Sequence, residues 1–291
     1  MTFKRKFVRK KIYIPIAALV ILILVVTIAI TVTRKAPTAP NLDGYTLVFN
    51  DEFDGTKLDT SKWATCYDWY SEYANGCSNH GNDELQWYME DQVAIEGGNA
   101  VLTAIAEPVL GVDEQGYPSG YDYRSGMLTT GQGSPTGEAK WTNQYGYYEA
   151  RIFNPEGQGV WPAFWLLPNG EEWPPEIDIM EQVGHKPNEV ALTYFWPDEQ
   201  NVSAMSTETY VSDTSFANSW HTYAVNWQKG SIDWYIDDKN VRSVTDDTVP
   251  SQPMQIALDL AIGGNYPGSP DKTTKFPAVM KIDYVRVYKN D

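Results

Sequence analysis

The chain has 291 residues, of which 42% are hydrophobic and 21% charged, and it contains 11 Trp, 19 Tyr and 9 Phe. This length allows one large domain or two small ones, and the aromatic content excludes a disordered or fibrous protein. The formal net charge is −16, yet eight of the 22 Lys and Arg residues precede Ala36 and every acidic residue follows it. The acidic remainder repels phosphate backbones, so we expect no nucleic-acid partner.

The N-terminal segment has the pattern of a membrane anchor. Residues 12–33 carry no charge over 22 positions, and a helix needs about 20 apolar residues to cross a bilayer. Basic residues are concentrated before this run, which predicts a cytoplasmic tail over residues 1–11 and an extracellular position for the chain beyond residue 33. A cleaved signal peptide, which would give a secreted protein, is the alternative. Residues 34–41 contain two prolines and predict a short extended linker.

Residues 42–291 show neither an internal repeat nor a second break in composition, so we expect one domain there. The hydrophobic periodicity is mostly two. Residues 221–227 and 231–236 alternate on either side of a Gln-Lys-Gly turn and predict a hairpin, and residues 100–106 and 279–288 predict further strands. Many short strands separated by Gly, Pro and Asn predict an all-β sandwich or barrel. The absence of a helical stripe or a Gly-rich phosphate loop disfavours the α/β cofactor enzymes.

The chain has two cysteines, Cys66 and Cys77. In an oxidising exterior they can pair across the intervening loop, and we predict a structural disulfide. Two free thiols are the alternative. Without His residues at matching spacing, the pair gives no support to a zinc site.

Three carboxylates lie among apolar residues in the segment 173–183, at Glu176, Asp178 and Glu181. In a regular strand the side chains alternate, so Glu176 and Asp178 would share a face and Glu181 would lie on the other. A β-bulge of one residue near position 179 or 180 would return Glu181 to the face of the other two. We therefore predict a bulge at this point.

Closely spaced carboxyl groups have a use in the cleavage of glycosidic bonds. In a retaining glycosidase one carboxylate attacks the anomeric carbon, and a carboxylic acid about 5 to 5.5 Å away protonates the leaving oxygen. The aromatic residues Trp161 and Trp165 lie just upstream, and sugar rings bind to aromatic planes. Alternatives are a solvated strand face or a cation site for the carboxylates, and core packing for the Trp residues.

Together with other segments of the chain, the carboxylate strand and the Trp-rich stretch before it resemble glycoside hydrolase family 16 and, within it, the laminarinase-like endo-β-1,3-glucanases. The resemblance extends from about Tyr45 to Tyr288, and the motifs occur in the family's order. These motifs are Asn50–Phe53, Asn82–Tyr88, Tyr145–Arg151, Trp161–Trp165, Glu176–Glu181, Trp220–Tyr223, Gly263–Gly268 and Asp283–Tyr288.

The resemblance implies a β-jelly-roll sandwich of the concanavalin type with a concave substrate cleft, and a retaining mechanism. By position, Glu176 is the nucleophile, Asp178 assists, and Glu181 is the general acid/base. The implied substrate is a β-glucan with internal β-1,3 or mixed β-1,3/1,4 linkages. No cofactor is implied for catalysis, and we expect a monomer.

The same resemblance implies residues for substrate and for a structural metal. Asn82, Arg124, Trp161 and Trp165 would line the glycone side of the cleft, and Trp141 and Tyr266 are further candidates. Glu52, the backbone of Gly98, and Asp283 would form a structural calcium site away from catalysis. Ion pairs or surface exposure would explain the two acids equally well.

Two departures from the family pattern leave the sugar specificity open. Many laminarinases carry a His on the strand after the catalytic one, where this chain has Phe195, and Tyr266 stands where the family often has Trp. The alternatives are therefore a glycosidase or transglycosylase acting on another polysaccharide, such as a galactan or xyloglucan. A lectin-like carbohydrate-binding module without catalysis is a third interpretation, although a pure binder has no need for three close carboxylates.

Overall fold

Strands dominate the part of the chain that the computed structural model describes, which comprises residues 41–67, 77–132, 138–168 and 173–290. Within these ranges the helical elements are two 3₁₀ turns, and no helix there has the length and apolar character to cross a membrane. The all-β prediction is confirmed. The predicted tail, the anchor and nearly all of the linker lie outside the described residues.

The described strands, in chain order, are β1 (Tyr45–Asp51), β2 (Gln86–Tyr88), β3 (Val93–Glu96), β4 (Asn99–Ala104), β5 (Val109–Val112), β6 (Pro118–Tyr121), β7 (Tyr123–Ser125), β8 (Met127–Thr129), β9 (Gly146–Phe153), β10 (Val160–Pro168), β11 (Glu176–Glu181), β12 (Glu189–Pro197), β13 (Ser203–Val211), β14 (Trp220–Gln228), β15 (Ser231–Ile236), β16 (Lys239–Thr245), β17 (Met254–Ile262) and β18 (Ala278–Asn290). The 3₁₀ turns are His80–Asn82 and Glu90–Gln92.

Two antiparallel sheets form the sandwich. The larger sheet has eight strands in the order β16-β15-β14-β9-β18-β4-β3, with β1 also paired to β18. The smaller sheet has six strands in the order β13-β12-β11-β10-β17-β8. The chain crosses repeatedly between the sheets, as in a jelly roll.

The main core lies between the two sheets, and strand alternation explains how it forms. In β15, Ile232, Trp234 and Ile236 are buried while their neighbours are half-buried, as the period of two predicts. The predicted hairpin is confirmed, because β14 and β15 pair from Tyr223–Ile236 to Gln228–Ser231. The smaller sheet contributes the opposite wall, with buried apolar residues from β10, β11, β12 and β17.

A second apolar cluster covers part of the outer face of the smaller sheet. It contains Tyr67, Trp87 and Tyr88 above Trp165 and Ala257 of the sheet itself. The predicted disulfide between Cys66 and Cys77 is present, with 4.7 Å between the Cα atoms, and Cys77 belongs to this cluster. The disulfide thus fastens the layer that lies over one side of the sheet's outer face.

Candidate active site

Strand β11 contains the bulge that the sequence predicts. Asp178 pairs with Thr193 and Glu181 with Ala191, so three residue steps on β11 match two steps on β12. The extra residue rotates the strand and returns Glu181 to the outer face shared by Asp178. The intervening apolar side chains point into the core between the sheets.

The opposite sheet supports the bulge. Trp234 of β15 is fully buried, and its indole Nε1 donates a hydrogen bond of 2.9 Å to the backbone oxygen of Asp178. A buried carbonyl that a strand ladder does not satisfy needs such a partner. The irregular strand is therefore held by a side chain that spans the core.

Asp178 lies between the two glutamates and is 2% exposed. Its Oδ2 has no hydrogen-bond donor among the described residues, and its carboxyl group contacts that of Glu176. Two carboxyl groups can hydrogen-bond only when one of them carries a proton. Burial, followed by the charges of Glu176 and Glu181, raises the pKa of Asp178 well above its ordinary value, so the shared proton belongs to Asp178.

An indole N–H reaches each of the two outer carboxyl groups. Trp173 Nε1 donates to Glu176 Oε2 at 2.8 Å, and Trp161 Nε1 donates to Glu181 Oε1 at 3.2 Å. Trp161 is a predicted substrate residue, and its indole also holds the carboxyl group of Glu181 by this hydrogen bond.

The two glutamates differ in how tightly they hold a proton. Burial raises the pKa of Glu176 to about 7, and hydrogen bonds from Asp178 and Trp173 oppose this rise. Burial and then the charge of Glu176 raise the pKa of Glu181 to about 8. Glu176 accepts hydrogen bonds from Asp178 and Trp173, whereas Glu181 accepts one from Trp161, so the ionised form is better stabilised at Glu176, as a nucleophile requires.

Asp259 and Glu84 are two further buried carboxyl groups near the catalytic strand, and the sequence analysis did not identify them. Asp259 of β17 accepts hydrogen bonds from Trp165 Nε1 at 2.7 Å and from the Tyr88 hydroxyl at 2.9 Å. Glu84 accepts from Gln86 Nε2 at 2.6 Å. Burial raises the pKa of Asp259 to about 6, and burial together with the charge of Asp259 raises that of Glu84 to about 8.

The outer face is open in the other direction, over β12 and β13. Phe195 and Met205 lie in line with Glu176 across these two strands, and Trp173 packs on Phe195 with 5.6 Å between ring centroids. In the next row, Thr193 donates to Thr207 at 2.9 Å. Beside Glu181 is a pocket of about 320 Å³, lined by Glu181, Val183, His185, Lys186, Glu189, Ala191, Thr209 and Tyr266.

The structure brings several predicted substrate residues to the carboxylates. Tyr266 is half exposed and packs edge-on against Trp161, with 5.3 Å between centroids. Trp165 pairs with Asp178 in the strand register but is buried beneath the covering layer. Asn82 donates to Glu84 Oε1 at 3.2 Å. The backbone oxygen of Asn82 lies close to Gly264. A Cβ at position 264 would be 2.6 Å from that oxygen, so only glycine fits there.

The remaining two predicted substrate residues are Trp141 and Arg124. Trp141 packs on Phe49 and Tyr148, with centroids 4.7 and 6.3 Å apart, beside the core between the sheets. Trp141 is only partly buried, so its role in substrate binding stays a prediction. Arg124 lies opposite Trp87 in the short β2–β7 pair, and its Nε is buried without a partner among the described residues. The role of Arg124 in substrate binding stays a prediction.

The carboxylates expected to hold calcium are paired with arginines. Arg286 donates to both oxygens of Glu52, at 2.9 and 2.7 Å, and Arg151 forms an ion pair with Asp283 at 2.6 Å. The described residues contain no cluster of three or more His, Cys, Asp or Glu suited to a metal. As they stand, Glu52, Asp283 and the turn at Gly98 do not fit a calcium ion, and the ion-pair alternative describes the two acids.

A β-sandwich whose outer face presents two carboxyl groups of different proton affinity, with indole rings beside them, has the kind of site found in enzymes that cleave glycosidic bonds. The chain belongs to the glycosyl hydrolases family 16, whose family model matches residues 81–286.

Individual relatives support this membership. The chain is 36% identical over 256 residues to an endo-1,3-1,4-beta-glycanase of Rhizobium meliloti, covering 84% of this chain and 52% of the relative. It is 32% identical to a beta-glucanase of Rhodothermus marinus, covering 84% and 85% of the two chains. The catalytic domain of an endo-1,3-beta-glucanase (laminarinase) from Thermotoga petrophila superposes with a TM-score of 0.70 at 32% identity, covering 85% of this chain and 98% of that domain. The chain spans about half the length of the first two curated relatives that it matches.

Proposed function

We propose that this protein is a retaining endo-glycosidase that hydrolyses internal β-1,3 or mixed β-1,3/1,4 linkages of β-glucans. The observation that carries the proposal is the bulged strand, which gathers Glu176, Asp178 and Glu181 on one open face. The ordered proton affinities of the two glutamates fit one attacking and one protonating group.

The residues have distinct roles in the proposed reaction. Glu176 attacks the anomeric carbon as the glycosidic C–O bond breaks, and Glu181 donates its proton to the departing oxygen. Glu181 then accepts a proton from water, which attacks the glycosyl ester and releases Glu176. Asp178, protonated and bonded to Glu176, stabilises the charge on the nucleophile until the attack.

The names of the relatives support the glucan substrate. They include enzymes described as acting on 1,3-1,4-beta-glycans and laminarinases described as endo-1,3-beta-glucanases. A more distant relative, 27% identical, is named a keratan-sulfate endo-1,4-beta-galactosidase. Since Phe195 replaces a polar cleft residue of many laminarinases, galactans belong among the substrates to be tested.

The test is the release of reducing ends from laminarin, mixed-linkage glucan, xyloglucan, agarose and carrageenan by the purified protein and by Glu176→Ala. We expect activity on laminarin or mixed-linkage glucan, with a loss of about 10⁴-fold or more in the variant. Activity on a galactan alone would keep the mechanism and overturn the substrate. Binding without release from any polymer would favour a lectin, and products longer than a starting oligosaccharide would show transglycosylation.

The anchor at residues 12–33 is also part of the proposal, and its support is the uncharged run in the sequence. It places the catalytic domain outside the cell, at the membrane. After cell fractionation, the full chain should sediment with membranes and be accessible to protease added to intact cells. Recovery from the medium with a shortened N-terminus would indicate a cleaved signal instead. We further propose a monomer, which sedimentation of the purified protein tests.

A further inference from the structure

Asp259 lies in direct line with the general acid/base, two strands away. It pairs with Ala163 of β10, and Ala163 pairs on its other side with Glu181 of β11. Residues that pair laterally in a sheet point to the same face, so Asp259 and Glu181 share the outer face at the same level. Two strand spacings separate them by about 10 Å, and the side chain between them is a single methyl group.

The carboxyl group of Asp259 is held rigidly and is only 4% exposed. Neutral donors surround it: the Trp165 indole at 2.7 Å and the Tyr88 hydroxyl at 2.9 Å, with a further hydrogen bond from Tyr67. None of the ion pairs found among the described residues includes Asp259 or Glu84. Among the described residues, no Lys, Arg or His therefore neutralises a negative charge on Asp259 at ion-pair distance.

Glu84 and Asp259 share the Tyr88 hydroxyl, which lies 3.4 Å from the Glu84 carboxylate and 2.9 Å from that of Asp259. Their pKa values, raised to about 8 and about 6, leave Glu84 protonated and Asp259 ionised at neutral pH. The pair thus carries one negative charge, located on Asp259.

We propose that Asp259 is a positioning residue for the glycosidase reaction, a fixed negative charge that keeps the proton on Glu181 and so sets the pH range of catalysis. The inference rests on the proposed function. A unit charge about 10 Å away, at an effective dielectric constant near 20, moves a proton equilibrium by roughly one pH unit. The charge of Asp259 raises the pKa of both Glu176 and Glu181.

The titratable groups that face Asp259 come from several elements. They are Glu84 and Tyr88 from the covering segment, Tyr67 beside the disulfide, and Glu176, Asp178 and Glu181 from the catalytic strand. The acidic members of this set repel Asp259, so removal of its charge leaves the remaining carboxyl groups easier to ionise.

The test is the pH dependence of kcat/KM in Asp259→Asn. Asparagine keeps an acceptor for Trp165 and can donate to Tyr88, so the substitution removes the charge and keeps the shape. We expect both limbs of the pH profile to move to lower pH by roughly one unit. Damage to the fold would instead lower the rate at every pH and leave the limbs in place, and that result would overturn the proposal.

Two further variants keep the test decisive. Asp259→Ser removes the same charge from a smaller side chain and replaces Asp259→Asn if that variant does not fold. The matched control is Glu84→Gln, which alters the same hydrogen-bonded cluster but removes no charge around pH 7, so its acid limb should stay at the wild-type position. An acid limb that moves equally in Asp259→Asn and Glu84→Gln would assign the shift to the hydrogen bonds and contradict the charge model.

The failure of this inference is distinguishable from the failure of the proposed function. The profile is measured on whichever polymer the wild-type protein hydrolyses. If the wild type hydrolyses none of the polymers tested, the glycosidase assignment is wrong. If the wild type is active and the limbs do not move in Asp259→Asn, only the role of Asp259 is wrong.

Discussion

The outer face of the smaller sheet is covered on one side of the catalytic strand β11 and open on the other. Toward β10 and β17, the face is covered by a layer that contains Trp87, Tyr88 and the Cys66–Cys77 disulfide. Toward β12 and β13, the face is open, and Met205 is 59% exposed. Both sides consist of the same kind of antiparallel strand, so the covering layer makes the difference.

This contrast separates two tasks of the site. On the covered side, burial allows carboxyl groups such as Asp259 and Glu84 to influence each other and the catalytic pair, because charges interact more strongly away from water. On the open side, apolar and hydroxyl-bearing side chains remain accessible to a polymer. The covered side sets protonation, and the open side is available for binding.

The largest expected effect lies at the boundary between the two sides, at Glu181. Glu181→Ala removes the proton donor, and we expect kcat/KM on polysaccharide to fall about 10²- to 10⁴-fold. The alkaline limb of the wild-type profile, expected near pH 8 where Glu181 loses its proton, should disappear in the variant. Stopped reducing-end assays from pH 5 to 9 measure both effects. Persistence of the limb in the variant would assign it to another group.

The disulfide tests whether the covering layer needs a covalent fastening. The two cysteines are 11 positions apart, and a crosslink over a loop of this size restricts the unfolded chain by about 3 kcal/mol. The double variant Cys66→Ser with Cys77→Ser should therefore lower the free energy of unfolding by about that amount, measured in urea. As the control, a reductant should lower the free energy of unfolding of the wild type by the same amount. A loss near zero would show that apolar packing alone holds the layer.

Glu84 tests the energetic consequence of burying an acid on the covered side. Its pKa rises from 4.5 unfolded to about 8 folded, so the folded state favours the protonated form. The stability that the folded state has with a protonated Glu84 is fully present below pH 4.5. It is lost as the pH rises toward 8, because the carboxyl group then ionises more readily in the unfolded chain. Glu84→Gln should accordingly raise the unfolding free energy by roughly 1 to 3 kcal/mol at pH 8 relative to its effect at pH 4. A difference independent of pH would contradict this account.

The sequence was most informative on the catalytic strand itself. The spacing of Glu176, Asp178 and Glu181 cannot place all three on one face without an inserted residue, and the bulge follows from strand geometry alone. The hairpin of β14 and β15 follows in the same way from alternation. Local patterns such as these are visible because the residues that interact are neighbours in the chain.

The long-range parts of the site could not be predicted in this way. Asp259 lies within the apolar strand β17, whose other residues carry no charge, and its partners are distant in the chain. A single acidic residue in a buried strand indicates that hydrogen-bond donors must surround it. The alternation of side chains does not identify those donors, because they come from other parts of the chain. The packing of Trp141 on Phe49 was also not predicted, because composition does not tell which side chains a Trp contacts.

The smallest expected effect concerns the open side. Met205 lies in line with Phe195 and Glu176 but is largely exposed, so Met205→Ala should change the unfolding free energy by less than about 0.5 kcal/mol. If the polymer lies over this side, the loss of an apolar contact should raise KM by a few fold while kcat stays unchanged. Leu47→Ala, exposed on the other sheet, is the matched control and should alter neither constant. Equal KM values for both variants would mean that the polymer does not contact Met205.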